Sequence, residues 1–240
     1  MRIQKYLAAQ NVASRRQIEV WIEQGLILVN KKKAKLGDRV QDGDVIAYAT
    51  RSWLVAISKP KIEILSYYKP LGEICSKRDT HARATVFEAI DPPKQGRWIQ
   101  VGRLDINSEG LLLFCNDGEY ANKMMHPSAN WLRRYKVRVF GAHNKQTLEA
   151  CLKGVVLDGQ LCRFESIKPI GQHTGLNNWF EVAVYTGKYR MVRRICESVG
   201  MKVNRLIRIG YGPVSLVVGS KPGHIHLATE KEIASILKAL

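Results

Sequence analysis

The sequence predicts an α+β protein in two parts, a small helix-and-strand unit over residues 1–58 and a larger sheet-rich part over 64–240, joined by a linker at 59–63. Three observations predict it. Residues 1–50 carry apolar positions at helical spacing and then short apolar runs between turn signals. The middle of the chain holds strictly alternating stretches, the period-two signature of half-buried strands. Between them, over 49–63, polar residues and Pro60 interrupt the apolar pattern.

Composition narrows the partner. There are 38 Lys and Arg against 21 Asp and Glu, a net charge of +17 and a pI near 9.8. A surface so biased attracts polyanions, and nucleic acid leads among them. No stretch approaches the roughly 18 apolar residues of a membrane span, and the N-terminus lacks the apolar core of a signal peptide. Cys75, Cys115, Cys151, Cys162 and Cys196 lie in apolar segments without a Cys-x-x-Cys pair. They are expected to be reduced core residues in a cytoplasmic protein, and no metal or cofactor is expected.

In chain order, Ile3, Tyr6 and Leu7 mark a first helix. A second begins at Ser14, which with Gln17 forms a capping box, buries Ile18, Trp21 and Ile22, and ends at Gly25. A strand from Leu26 to Val29 leads into Lys31-Lys32-Lys33, and a later strand over Val45–Tyr48 follows the acidic turn Asp42-Gly43-Asp44. A cation run is ordinarily a solvated face. Here nine Lys and Arg against five acids in residues 1–50, clustered at Arg15, Arg16, Lys31, Lys32, Lys33 and Lys35, favour contact with RNA phosphates.

The larger part opens on Tyr67-Tyr68-Lys69-Pro70-Leu71-Gly72, a strand running into a Pro-Gly turn with a structural role. Lys77, Arg78, His81 and Arg83 form an RNA-facing loop, with His81 solvated rather than a general base. Next, Gly102-Arg103-Leu104-Asp105 feeds the apolar run Leu111–Cys115, which closes on Asn116-Asp117-Gly118. On residues alone, Asp105 either caps a turn or is a carboxylate presented by a rigid strand. Asp117 caps a helix through Met125.

Over 133–139, Tyr135, Val137 and Val139 fall on one strand face and Arg134, Lys136 and Arg138 on the other. Tyr135 reads most simply as a core tyrosine with a wet hydroxyl. A helix over 145–153, a hairpin turning at Asp158-Gly159, and a strand through Phe180, Val182 and Val184 precede a helix over Tyr189–Val199. Its buried stripe is Val192, Ile195, Cys196 and Val199; Arg193 sits at the stripe's edge and needs a carboxylate partner. A final helix, capped by Thr229 and Glu232, turns Ile233, Ile236, Leu237 and Leu240 inward as a lid on the core.

Gly102-Arg103-Leu104-Asp105 followed by Ser108-Glu109-Gly110-Leu111-Leu112-Leu113 and Asn116-Asp117-Gly118 resembles the signature of the RsuA/RluB-type pseudouridine synthases. Tyr67–Gly72 and Gly187-Lys188-Tyr189-Arg190-Met191-Val192-Arg193-Arg194 resemble further motifs of that family, and the likeness continues through Asn204–Gly210. Residues 1–58 are similar to the small RNA-binding domain named from ribosomal protein S-four. The resemblance implies a mixed, mainly antiparallel catalytic sheet that isomerises uridine to pseudouridine without a cofactor. It makes Asp105 the catalytic residue, Arg193 its ion-pair partner, and Tyr135 the ring that stacks on the target base and serves C5 deprotonation. Arg103 fills the space the base vacates, Leu206 walls the uracil pocket, and Lys188 adds to substrate binding. Thr186 departs from the pattern, standing where an acid is common.

The expected substrate is large-subunit ribosomal RNA, free or in an assembly intermediate, acted on by a monomer. The same chemistry on small-subunit RNA and a non-catalytic ribosome-assembly factor are the alternatives.

Overall fold

The computed structural model describes residues 1–57, 61–77, 79–141, 143–171 and 175–240. Ser58 at the end of the expected small unit, Lys59 and Pro60 of the expected linker, and Arg78 of the expected RNA-facing loop lie outside them. The chain divides into two compact units, one of Met1–Ile62 with Pro92–Trp98 and one of Glu63–Asp91 with Ile99–Leu240.

In the first unit, α1 (Ile3–Ala9) and α2 (Arg15–Glu23) precede β1 (Ile27–Val29), β2 (Lys32–Lys33), β3 (Val45–Tyr48) and β4 (Arg51–Leu54). The strands form an antiparallel sheet in the order β2-β1-β3-β4. Ser14 accepts a hydrogen bond from the Gln17 N–H, which satisfies one of the free donors at the start of α2. Ile3, Leu7, Ile18, Ile22, Ile27 and Ile46 make the core, and Trp21 stacks on Tyr48 at its margin with 4.1 Å between ring centroids. Asn30 and Lys31 both take positive φ (48° and 68°), the conformation a two-residue β1–β2 hairpin demands. That turn puts Lys31, Lys32 and Lys33 at an exposed tip.

The second unit comprises β5 (Ile64–Lys69), β6 (Ile99–Val101), β7 (Glu109–Cys115), α3 (Gly118–Met125), β8 (Arg133–Phe140), α4 (Lys145–Lys153), β9 (Val155–Leu157) and β10 (Gln160–Cys162). It continues with β11 (Ser166–Ile170), β12 (Asn177–Val184), α5 (Met191–Ser198), β13 (Lys202–Tyr211), β14 (Val214–Ser215), β15 (Ile225–Leu227) and α6 (Glu230–Lys238). Its main sheet runs β11-β12-β8-β13-β7-β5-β15, with β14 on β13 and β6 on β7. Every pairing is antiparallel except β13 with β7. The fold is the mixed, mainly antiparallel α+β architecture anticipated above.

Burial explains the two halves of this sheet. β5 and β7 are buried at every position, so both their faces are covered, and they read as continuous apolar runs. β8 alternates buried and exposed from Tyr135 to Phe140, so its second face is open to solvent.

Three local expectations need correction. Helix α5 begins at Met191 rather than Tyr189, because Arg190 takes a left-handed φ of 49° that no helix interior accommodates. Arg193 is not at the edge of the α5 stripe but within it, only 6% exposed. In α6 the capping box of Thr229 and Glu232 is present and Ile236 is buried, with Ile233 and Leu237 half-buried, but Leu240 is exposed and does not turn inward. Trp131 Nε1 donates to the Ala239 carbonyl at 3.0 Å and ties its end down.

Candidate active site

The parallel pairing of β13 with β7 sets the site. It aligns Arg208 with Gly110, and on its other side Arg208 faces Tyr135 of β8. The loop that enters β7 is therefore held beside the end of β8, and Asp105 of that loop and Tyr135 open on one cleft of about 600 Å³. Arg103, Lys188 and Leu206 line the same cleft, as do Arg133, Arg190, Arg208 and Tyr211. Asp105 is half-buried, Tyr135 and Leu206 are buried, and Arg103 and Lys188 are exposed.

The Asp105 loop is fixed through its carbonyls. Backbone oxygens turned from water must find donors, and four consecutive ones of this partly buried loop do. Asp105 O accepts from the Ser108 N–H at 3.0 Å and Ile106 O from the Gly72 N–H at 3.0 Å. Asn107 O accepts from Arg193 Nη2 at 2.6 Å and Ser108 O from Lys69 Nζ at 2.8 Å. At the flanks, Arg208 Nε donates to Leu111 O at 2.7 Å, and the Leu104 N–H points to Cys75 Sγ at 3.4 Å. The carboxylate thus projects from an immobilised backbone.

This arrangement corrects the expected ion pair. Arg193 makes none with Asp105; its guanidinium donates to the carbonyls of Asn107 and of Val203, the latter at 3.0 Å. Burial and the neighbouring Arg190 pull the Arg193 pKa down, and the charge of Asp105 opposes that shift. Arg193 therefore acts on Asp105 through the loop it holds and through its field, not by direct contact. The edge-of-stripe argument failed because backbone carbonyls stand in for the carboxylate it demanded.

Lys69, read only as part of a structural turn, is fully buried under this loop. Its Nζ also donates to Pro70 O at 2.9 Å. Desolvation lowers its pKa, opposed by the charges of Cys75, Glu73, Asp105 and Glu109. Replacing Lys69 by Met keeps the length of the side chain but leaves two carbonyls without their donor. We expect a loss of about 2 kcal/mol in urea-unfolding stability, within the usual range for orphaned buried groups.

Sequence reading also missed the cationic floor. The guanidinium groups of Arg133 and Arg208 both approach the Tyr211 ring, 4.9 and 5.1 Å from its centroid. Arg133 donates to Tyr211 Oη and to the carbonyls of Trp131 and Tyr185. Among the described residues neither arginine has a carboxylate partner, and Arg208 Nη2 is buried without a hydrogen bond. Their spacing in sequence is unremarked by any periodicity, since it is the β8–β13 pairing that brings them together. Glu109, by contrast, is paired, accepting from Arg205 Nε and Nη2 at 2.5 and 3.1 Å.

In the first unit, Arg15, Arg16, Lys31, Lys32, Lys33 and Lys35 are all exposed. Arg97, from the returning segment Pro92–Trp98, lies near enough to Arg15 for that charge to help lower its pKa, after burial. The Asp79 carboxylate, in the loop with His81, is held well below its ordinary range by Arg83, to which it is bonded at 2.6 and 3.0 Å.

Residues 63–198 match the RNA pseudouridylate synthase family and residues 1–46 the S4 domain. Ribosomal large subunit pseudouridine synthase B of Haemophilus influenzae is 44% identical over 225 residues, 92% of this chain and 63% of the relative. The protein of that name from Escherichia coli K12 is 43% identical over 92% of this chain and 77% of the relative, and that from Pseudomonas aeruginosa 41% identical over 97% and 60%. The chain thus spans less than two thirds of two of these relatives. A crystal structure of a pseudouridylate synthase shares the fold, with a TM-score of 0.66 at 24% identity over 98% of this chain and 99% of that one.

Proposed function

The chain belongs to the RNA pseudouridylate synthase family, and from that premise we propose that it converts a specific uridine of large-subunit ribosomal RNA to pseudouridine, with Asp105 as the catalytic carboxylate. The observation that carries the reading is the meeting, in one cleft, of a half-buried carboxylate on an immobilised loop with a tyrosine ring and an apolar wall, Tyr135 and Leu206.

The isomerisation breaks the bond from uracil N1 to C1′, turns the base and rejoins it through C5, with loss of the C5 proton. A ring that must leave its helix costs a few kcal/mol of unstacking, offset by contacts in the pocket and to the backbone. Tyr135 supplies a flat surface for the extruded pyrimidine and serves C5 deprotonation; Leu206 walls the pocket. Arg103, exposed at the rim, fills the space left in the RNA. Whether Asp105 attacks the sugar or the base, or takes a proton from C2′, it must be ionised. Arg193 and Lys69, bonded to carbonyls of its loop, and Arg208, bonded to those of Leu111 and Arg103 at its flanks, hold the backbone that carries it. Arg133 and Arg208, with no acid among the described residues to neutralise them, and Lys188 complete a cleft suited to a polyanion.

Residues 1–58 contribute phosphate contacts through Arg15, Arg16, Lys31, Lys32, Lys33 and Lys35, which position the substrate without reading its sequence. The catalytic part is residues 64–240, and the protein works as a monomer in the cytoplasm on free RNA or an assembling subunit.

The test is tritium release from uracil C5 in full-length large- and small-subunit ribosomal RNA transcripts. Release from the large-subunit transcript alone is expected. Release from the small-subunit transcript instead overturns the substrate, and tight binding without release from either, assembly intermediates included, points to an assembly factor.

A further inference from the structure

The face of the sheet opposite Tyr135 carries charges that the cleft does not use. Residues directly opposite across a ladder share a face, so the register assembles three rows there. Ile170, Trp179, Arg138 and Arg205 form one row, and Lys168, Glu181, Lys136 and Ile207 the next. Asn177, Phe140 and Lys202 form the third. Lys136, Arg138, Lys168 and Lys202 are exposed, and among the described residues their side chains have no hydrogen-bond or ion-pair partner. Arg205 is engaged by Glu109, and Glu181 is the acid that lies in these rows. Among them stand a half-buried Trp179 and Phe140, which is 43% exposed.

We propose that this face binds a second segment of the substrate RNA, through its phosphates at Lys136, Arg138, Lys168 and Lys202 and with unpaired bases against Trp179 and Phe140. The inference rests on the reading that the chain acts on ribosomal RNA. Charge complementarity selects the occupant: four unpaired cations against one half-buried acid fit a polyanion, and aromatic planes on an open sheet suit exposed bases. The alternation of β8 turns these residues away from Tyr135, so a nucleotide in the cleft cannot touch them. The occupant is therefore another part of a folded RNA, long enough to pass from one face of the sheet to the other.

The triple variant Lys136→Glu, Arg138→Glu, Lys202→Glu tests it, against a charge-matched control at exposed Lys221, Lys231 and Lys238. Filter binding should show at least about tenfold weaker affinity for the full-length transcript in the first variant than in the control, with a shallower salt dependence. Affinity for a short hairpin holding only the target uridine should match that of the control. Equal affinities for the long transcript in the two variants would overturn the proposal. So would an equal loss on hairpin and transcript, which reports net charge alone, or retention of RNA binding with loss of an acidic protein partner. Thermal unfolding of both variants separates misfolding from lost contact, and Lys136→Arg, Arg138→Lys, Lys202→Arg should restore affinity if the charge is what binds. Because the readout is affinity, it stands apart from pseudouridine formation: failure of isomerase activity in the unaltered protein would sink the proposed function and leave this comparison readable.

Discussion

Asp105→Asn is expected to lower pseudouridine formation by about 10⁴-fold or more, the scale on which removing an essential acid-base or nucleophilic group acts, while RNA affinity stays within about twofold because phosphate contacts supply it. The exchange keeps the shape of the side chain and removes only its charge and basicity. The loop will hold its position in the variant, since Ser108, Gly72, Arg193 and Lys69 grip its backbone carbonyls and none of them bonds the Asp105 carboxylate. Single-turnover measurement of C5 tritium release at saturating enzyme, beside filter binding, separates the two quantities. A variant that binds as before and turns over at more than a tenth of the normal rate would show that another group does the chemistry.

The same feature marks what could be read from the sequence and what could not. Alternation over residues 133–139 placed Tyr135 on the buried face of a strand and Lys136 and Arg138 on the open one, and both placements hold because period two is a property of the backbone itself. The caps at Ser14, Asp117 and Thr229 were legible for a like reason: each hydroxyl or carboxylate serves an N–H two or three residues away. Lys69 and Arg193 were not legible in this way. Their acceptors on the Asp105 loop lie 39 and 86 residues distant in sequence, and only the tertiary fold brings that loop over them. Periodicity showed Arg193 to be close to the core and so in need of a partner, but could not say that a carbonyl would be the partner. The Arg133, Arg208 and Tyr211 floor was hidden for the same reason, arising from the register of β8 on β13. Resemblance to a family pointed to Asp105, Tyr135 and Leu206, which line one cleft, but of the side chains that hold the Asp105 loop it pointed only to Arg193.

Gly110 is where that fold is least forgiving, and Gly110→Ala is expected to cost about 4 kcal/mol or more, at the far end of what single substitutions do. Two penalties coincide there. Gly110 has φ of 106°, which an L-residue rarely adopts, and a Cβ would lie 2.3 Å from the Arg208 carbonyl oxygen and 2.6 Å from its nitrogen. Both neighbours are backbone atoms of β13, so no side chain can swing aside; the strands themselves must part. Gly110 pairs with Arg208 at the parallel junction of the sheet, which also sets the Asp105 loop beside Tyr135. Loss of stability and loss of activity should therefore come together, and any folded fraction should turn over slowly because the carboxylate is displaced. Gly200→Ala is the control: its φ is 80°, but a Cβ there meets nothing within 4 Å, so only backbone strain of about 1 kcal/mol is expected. Thermal unfolding of the two variants in parallel would show Gly110→Ala melting far below Gly200→Ala. Similar melting of the two would mean that β7 and β13 are not so closely apposed, and that the cleft between Asp105 and Tyr135 is built some other way.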